Sequence, residues 1–336
     1  MVKVGLIGAG KMGISHLAIL GAHPDAEVVG VCDTSKMVIE ALEKYSPFPC
    51  FTDYKKMLQQ SKPDAVVVAV PTKYHASMVK ELLQMGIHVF VEKPFCLRPE
   101  EGVELIQLAK SRNLVNQVGY HNKFVGTFEE VKRLLKAGAI GDIYHFMGQA
   151  YGPVVIKPKQ DTWRSNPEEG GGCLMDYASH VIDLINYLLS PVQSVQSSSL
   201  KSIFSKQVDD AVYAMMSLQN GVSGILSVNW SDETHRKMTT SVSINGTKGK
   251  IVSDANELKV YFKDAACPAG YSRGWNVKYV TDLTAPVDYY LRGEEYSAQM
   301  DHFIKAIQGK VPNEVNSFES AAKTDNAIAL IRKAQQ

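Results

Sequence analysis

This chain lacks the means to staple itself or to hold zinc in the usual way. Its five cysteines, Cys32, Cys50, Cys96, Cys173 and Cys267, are odd in number and widely scattered, and no Cys-x-x-Cys occurs. A disulfide framework and a zinc motif are therefore not expected, no metal is implied, and reduced thiols in the cytoplasm are the simplest reading. Charge of one sign is lacking too: 36 Lys and Arg face 35 Asp and Glu, a formal net charge of +1. Without a basic surplus a phosphate backbone cannot be neutralised along its length, so nucleic acid is not an expected partner. Runs of like charge and low-complexity segments are absent as well. The longest apolar stretches, such as Ala65 to Val70, fall far short of the roughly 20 residues that span a bilayer. Met1-Val2-Lys3-Val4 leads into a strand-like run rather than a signal peptide, so no membrane partner is expected.

What is present is regular alternation. The 336 residues exceed what one hydrophobic core usually organises, so two domains are expected, 1–122 and 123–336, with the C-terminal helices free to pack back on the first. Lys3 to Ile7 reads as a strand, Gly8-Ala9-Gly10-Lys11-Met12-Gly13 as a turn and His16 to Leu20 as helix. A second apolar run, Val28 to Cys32, ends at Asp33, 20 residues beyond Gly13. That is the spacing of a dinucleotide fingerprint. Gly8 permits the tight turn, Gly10 lets a pyrophosphate approach the backbone, and Gly13 lets helix and strand pack closely. Asp33 can accept from both ribose hydroxyls and would repel a 2′-phosphate. NAD is therefore favoured over NADP, with nearby Lys36 softening the preference.

The alternation continues with helix over Tyr54 to Gln60, Ala76 to Met85 and Pro99 to Arg112, and strand over Asp64 to Val70, Ile87 to Val91 and Leu114 to Val118. It predicts a doubly wound parallel sheet, a Rossmann domain of α/β class. Such sheets bind ligands at the carboxyl ends of their strands. Three segments stand there: Pro71-Thr72-Lys73-Tyr74-His75, Glu92-Lys93-Pro94 and Gly119-Tyr120-His121-Asn122.

Beyond Asn122 the pattern changes. After an amphipathic helix over Thr127 to Lys136, alternating runs cover Ile143 to Ala150, Ser194 to Ser199, Ala211 to Leu218, Gly224 to Trp230, Thr239 to Ile244, Lys250 to Ser253 and Leu258 to Phe262. Strands without intervening helices predict a mainly antiparallel sheet, hence a second domain of α+β type. Tyr296 to Ile307 and Phe318 to Lys333 read as closing helices. One helical segment interrupts the strands. Three glycines, Gly170 to Gly172, precede it, and within it Asp176 and His180 stand four apart, on one face of an α-helix, with Asp183 roughly continuing the stripe. Titratable groups in an otherwise apolar helix are costly to bury without partners. They mark either a reactive face or a histidine satisfied by an acid.

Together these segments resemble the glucose–fructose oxidoreductase, inositol dehydrogenase and rhizopine-catabolism family (Gfo/Idh/MocA). The resemblance rests on Gly8 to Gly13, Asp33, Pro71-Thr72-x-x-His75, Gly86 to Pro94 with its Glu92-Lys93-Pro94, Trp163-Arg164, Gly170 to Asp176 with His180 and Asp183, Asp209-Asp210, Asn245 to Gly249, and Met300 to Pro312. It covers essentially the whole chain. The resemblance implies a large open sheet in the second domain and an active site of Lys93, Asp176 and His180. It also implies cofactor contacts from Gly8, Gly10, Lys11, Met12, Gly13, Asp33, Pro71, Thr72, His75, Glu92 and Lys93. Substrate contacts from Lys93, Tyr120, His121, Trp163, Arg164, Asp176 and His180 follow in the same way. A cis bond before Pro94 fits the family. One departure stands out: many members carry arginine before the aromatic where this chain has Lys123-Phe124.

The implied activity is hydride transfer between NAD and a secondary alcohol of a sugar, cyclitol or nucleotide-sugar. His180 would serve as base, Asp176 as its support or a substrate contact, and Lys93 as a positive charge on the reacting oxygen. Two other readings stay open at this stage: an NAD-dependent glycosidase with transient oxidation, and a dinucleotide-binding sensor without catalysis. Blander roles also stand for single residues: His75 starting a helix, Trp163 and Arg164 packing a loop, His88 in the core, and Asp209 and Asp210 structural. An open sheet face would be covered by self-association, giving a homodimer or homotetramer.

Overall fold

The computed structural model describes residues 1–158, 162–287 and 293–335. They form two compact units, Met1–His121 with Pro286–Ala322, and Asn122–Ala285 with the chain from Lys323 onward.

The first unit runs β1 (Val2–Ile7), α1 (Lys11–Ala22), β2 (Ala26–Cys32), α2 (Lys36–Tyr45), β3 (Cys50–Phe51), α3 (Tyr54–Ser61), β4 (Ala65–Val68), α4 (His75–Gln84), β5 (His88–Val91), α5 (Pro99–Ser111) and β6 (Asn116–Val118). The six strands form one parallel sheet in the order β3-β2-β1-β4-β5-β6. Because every strand runs the same way, every strand ends at the same edge. The order reverses between β1 and β4, which makes the crevice where such sheets take ligands. β4 reads Ala-Val-Val-Val and is buried on both faces, as a strand covered by helices on each side must be. Two apolar layers flank the sheet. In one of them Met300, Phe303 and Ile304 of a later helix pack with Leu17, Leu20 and Phe90.

The second unit contains α6 (Gly126–Lys136), β7 (Ile143–Tyr151), α7 (Ser179–Leu188), β8 (Val192–Lys201), β9 (Ala211–Leu218), β10 (Ser223–Asn229), β11 (Thr239–Gly246), β12 (Gly249–Asp254), β13 (Glu257–Phe262), β14 (Gly274–Tyr279) and the short α8 (Val280–Leu283). Two further helices, α9 (Glu294–Ile307) and α10 (Phe318–Lys333), complete the described elements. The second sheet has eight strands, ordered β14-β13-β12-β11-β7-β10-β9-β8, and is antiparallel except where β10 meets β7. Its strands alternate in burial, as in β11, so one face is core and the other open. α7 lies on the core face. A side chain at Gly148 of β7 would stand 2.6 Å from Val181 and 2.7 Å from Ile185, so helix and strand touch there with nothing between. Val181, Ile182, Leu184, Ile185 and Leu188 of α7 are buried, each contributing roughly 1.5–3 kcal/mol.

The architecture is the expected one, an α/β Rossmann sheet plus a large mainly antiparallel sheet, with four unexpected elements. α2, the two-residue β3, the edge strand β14 and the short α8 were not expected from the pattern of residues. Among the described residues no helix is long and apolar enough to cross a membrane, and no group of three or more His, Cys, Asp or Glu is placed to hold a metal ion.

Candidate active site

The ligand edge of the first sheet begins with the turn after β1. Gly8 has φ +94°, and a side chain there would meet the Ala69 carbonyl oxygen at 2.4 Å. At Gly13 the clash would be with the carbonyl of Gly8, at 1.8 Å. Gly10 is the contrast: nothing lies within 4 Å of where its Cβ would stand. It caps α1 without any side-chain hydrogen bond, and the first turn of α1 holds no acid. The helix thus offers its partial positive charge and open backbone to an anion. Beside it, Asp33 follows β2. Its Oδ2 accepts from the Ala9 N–H at 2.7 Å and its Oδ1 from the Ser35 N–H at 2.8 Å. Each oxygen keeps a further acceptor position. A cradle open at Gly10 with a fixed carboxylate after the next strand fits the pyrophosphate and ribose of NAD.

Pro71 and Thr72 follow β4, Pro71 exposed and Thr72 buried. His75, an expected cofactor contact, is enclosed by protein. The residue is 1% exposed, with Nδ1 3.0 Å from the Pro94 oxygen and 3.3 Å from that of Phe95, and Nε2 3.0 Å from that of Val70. Burial pulls its pKa below the usual value, against the opposing pull of the three carbonyls and Glu92. His75 is a strut that ties the turn after β4 to the turn after β5. Glu92 is likewise a brace. Its Oε1 lies 2.6 Å from His16 Nε2, and its Oε2 accepts from the Lys93 N–H at 3.2 Å. Burial raises its pKa, but the His16 hydrogen bond and the charge and N–H of Lys93 outweigh that and leave the carboxyl below its usual range. Lys93 itself is partly exposed, and the bond to Pro94 is cis.

After β6 comes Tyr120, an expected substrate contact. At 1% exposure it belongs to the core cluster with Phe95 and Phe318, because its apolar ring finds its partners inside. His121 stacks on Tyr296, ring centroids 4.6 Å apart.

In the second unit the structure brings Trp163, Arg164 and Asp176 together. Arg164 Nε donates to Asp176 Oδ2 at 2.9 Å, and its guanidinium lies 4.4 Å over the Trp163 ring. Arg164 is 40% exposed along its side chain while Asp176 is 6%, so a half-open cation faces a buried anion. A small cleft beside them is lined by Val154, Val155, Thr162, Arg164, Ser165 and Ser205. The segment bearing Asp176 and His180 is not plain α-helix: Leu174 to Ala178 forms a π-helical turn before α7. Such turns occur often at functional sites. Asp209 holds its start, accepting from the Leu174 N–H at 2.6 Å while the Cys173 N–H donates to the Asp209 carbonyl at 2.8 Å. Gly172 needs its glycine, since φ is +103° and a Cβ would lie 2.7 Å from that same Asp209 carboxylate.

Asp183 is 1% exposed and ion-paired at 2.8 Å with Lys123, the residue standing at the family's arginine position. His88 is a satisfied structural histidine whose Nδ1 accepts from the Val115 N–H at 2.9 Å. Two residues make pairings that local sequence does not announce. His16 is a lone histidine in an apolar helix, and Lys123 looks like any helix-start lysine. Each acts on a partner far away in the chain.

Residues 2–120 match the family described as "Oxidoreductase family, NAD-binding Rossmann fold", and 128–252 the "GFO/IDH/MocA C-terminal domain". The chain belongs to the Gfo/Idh/MocA oxidoreductase family. As a Gfo/Idh/MocA member it is similar to a D-glucoside 3-dehydrogenase of Escherichia coli K12, 26% identical, covering 74% of this chain and 75% of the relative. Another relative is a levoglucosan dehydrogenase of Pseudarthrobacter phenanthrenivorans, 26% identical, covering 87% and 82%. Among solved structures, a levoglucosan dehydrogenase in complex with NADH and levoglucosan aligns with TM-score 0.86 at 25% identity, covering 99% of this chain and 98% of that one.

Proposed function

We propose that this Gfo/Idh/MocA oxidoreductase transfers a hydride between NAD and a secondary hydroxyl of a sugar-like substrate. The observation that carries the reading is the open cradle at Gly10 with Asp33 fixed after the neighbouring strand, on a chain whose relatives include sugar dehydrogenases. Bound NAD supplies the hydride acceptor at its nicotinamide ring. Asp33 binds the ribose, and the α1 N-terminus holds the phosphates. Lys93, Asp176 and His180 carry the chemistry. A His180 ring nitrogen takes the hydroxyl proton. Asp176, kept in place by Arg164, steadies the imidazolium that forms. Lys93 places positive charge on the reacting oxygen and polarises the carbonyl in the reverse direction.

The test mixes the protein with NAD or NADP and a panel of free sugars, glycosides, anhydrosugars, cyclitols and nucleotide-sugars, following reduced nicotinamide by absorbance. Substrate-dependent NAD reduction that is lost in Lys93→Ala and His180→Ala is expected. Tight NAD binding with no turnover on any alcohol would overturn it in favour of a sensor, and glycoside cleavage without net NADH in favour of a glycosidase.

A homo-oligomer completes the proposal. The open face of the second sheet presents Tyr213, Met215 and Ile225, all more than a third exposed, among serines, on strands without outward charges. A second copy of this chain is the occupant proposed, since an uncharged face can meet itself without repulsion. Ile225→Lys is expected to lower the mass measured by light scattering, and an unchanged or already monomeric mass would refute it. A cytoplasmic setting accords with the lack of any disulfide among the five cysteines.

A further inference from the structure

Beyond the residues that touch cofactor or substrate, we propose that His16 is a positioning residue for Lys93. Its Nε2–H holds the buried Glu92 carboxylate, and Glu92 in turn holds the main chain at Lys93. The inference rests on the reading of Lys93 given above and extends it into the layer beneath.

Four observations converge. His16 is fully buried, and its Nε2 lies 2.6 Å from Glu92 Oε1. The other Glu92 oxygen accepts from the Lys93 N–H at 3.2 Å, so one carboxylate joins the helix histidine to the lysine's own backbone. A Cβ at Gly119 would stand 2.9 Å from Glu92 Oε2, so the turn after β6 closes the third side and leaves the carboxylate no second resting place. Finally, His16 Nδ1 is buried without a hydrogen-bond partner. A doubly protonated ring would leave a buried N–H unsatisfied, whereas the neutral ring protonated at Nε2 leaves only a bare lone pair. The ring therefore presents its Nε2–H to the Glu92 carboxylate.

The chain of contacts has a mechanical consequence. His16 stands on α1, the helix whose N-terminus forms the open cradle at Gly10. Rigid attachment of that helix to the Glu-Lys-Pro turn keeps the cofactor's cradle and the lysine in fixed register. His75 grips the same turn from its other end through the Pro94 and Phe95 carbonyls, so the turn is held on both sides of Lys93.

The test compares the wild type with His16→Leu, His16→Gln, and His16→Leu in a Glu92→Gln background. Glutamine keeps a nitrogen donor toward Glu92, while leucine keeps bulk alone. The ionisable groups facing Glu92 are His16, Lys93 and, more remotely, His75. Without the His16 donor, a carboxyl in this setting takes up a proton on the acid side of neutrality. Infrared titration from pH 5.5 to 8.5 should then show a protonated-acid carbonyl band in His16→Leu. That band should be absent from the wild type, from His16→Gln and from the double variant. Turnover in His16→Leu is expected to fall about ten- to hundredfold, as for loss of one charge-assisted hydrogen bond. It should fall further toward acid, along a limb that the wild type lacks, while His16→Gln regains most of the rate. An infrared band equal in all four proteins, or a rate loss with no new pH dependence and no rescue by glutamine, would make His16 a core filler and overturn the inference. Should His16→Leu fail to fold, His16→Gln against Glu92→Gln decides: near-normal rate in the first and a deficit in the second support it, and equal rates refute it. If the wild type oxidises no sugar at all, the functional reading fails by itself, and the infrared comparison still decides whether His16 keeps Glu92 ionised.

Discussion

Glu92 in the first unit and Asp183 in the second are both nearly sealed from water, at 9% and 1% exposure, and each is hydrogen-bonded to a basic side chain. They respond in opposite directions. Glu92 is held below the usual carboxylate range, because the His16 donor and the adjacent Lys93 charge and N–H together outweigh burial. Asp183 is pushed up, because burial outweighs the Lys123 partner. At Glu92 the hydrogen bonds and the neighbouring lysine charge win over burial, whereas at Asp183 burial wins over both Lys123 and the Thr324 hydrogen bond. The difference matches the two locations. Glu92 stands under a turn that has to present a lysine, and Asp183 sits inside α7, where its work is to anchor the helix.

Removing a partner breaks this comparison most sharply in the second unit. Lys123→Met leaves Asp183 buried and uncompensated, which is expected to destabilise the protein by about 3–5 kcal/mol in urea unfolding. Lys123→Met with Asp183→Leu should recover most of that. A single variant as stable as the wild type would show that the pair anchors nothing.

The next effect belongs to the segment that carries Asp176 and His180. Arg164→Ala removes the Nε donor from Asp176 and is expected to lower kcat/KM by roughly ten- to hundredfold, or about 1.5–3 kcal/mol. Arg164→Lys should recover only part, since a point charge does not reproduce the flat guanidinium stacked on Trp163. Full activity in either would remove Arg164 from the site.

Gly10→Ala separates binding from folding in the first unit. With an extended backbone at φ −70° and nothing within 4 Å of the added methyl, stability should stay within about 0.5 kcal/mol of the wild type. NAD affinity should weaken by about tenfold or more, some 1.4 kcal/mol, because the methyl occupies the cradle. Unchanged affinity, by titration with NADH, would place the phosphates elsewhere.

The sequence made legible those features whose signal is local. The glycine turn and Asp33 are written within one strand-turn-helix unit, and β4 announces its burial through four consecutive apolar residues. The alternation of the second domain yielded seven strands for the same reason. β14 escaped because its pattern is inverted. Trp275, Val277 and Tyr279 face outward and are exposed, while Asn276 and Lys278 lie on the other side, so the edge strand carries no apolar stripe toward a core. The π-helical turn at Leu174 to Ala178 was hidden because the spacing of Asp176 and His180 reads equally well as α-helix. His16 and Lys123 were invisible for a third reason: their partners lie 76 and 60 residues away, and only the folded chain brings them together.

The smallest effect is the most direct comparison of the two carboxylates, because it reads their opposite shifts as opposite slopes. For Glu92 the folded-state pKa lies below its ordinary 4.5. The ionised form therefore favours the fold above that value, and the contribution is lost as pH falls through the lower folded-state pKa. The stability gap between the wild type and Glu92→Gln should be flat from neutral pH down to about 5 and close below about 4.5. For Asp183 the folded-state pKa lies above its ordinary 3.8. Its contribution is present at low pH and is lost as pH rises from that value through the raised one. The gap between the wild type and Asp183→Asn should therefore shift against the wild type on raising the pH over that window. Chemical unfolding at several acid pH values measures both gaps on the same proteins. Slopes of the same sign would mean that converging donors do not distinguish the two sites, and the contrast between a presenting brace and a buried anchor would fall with them.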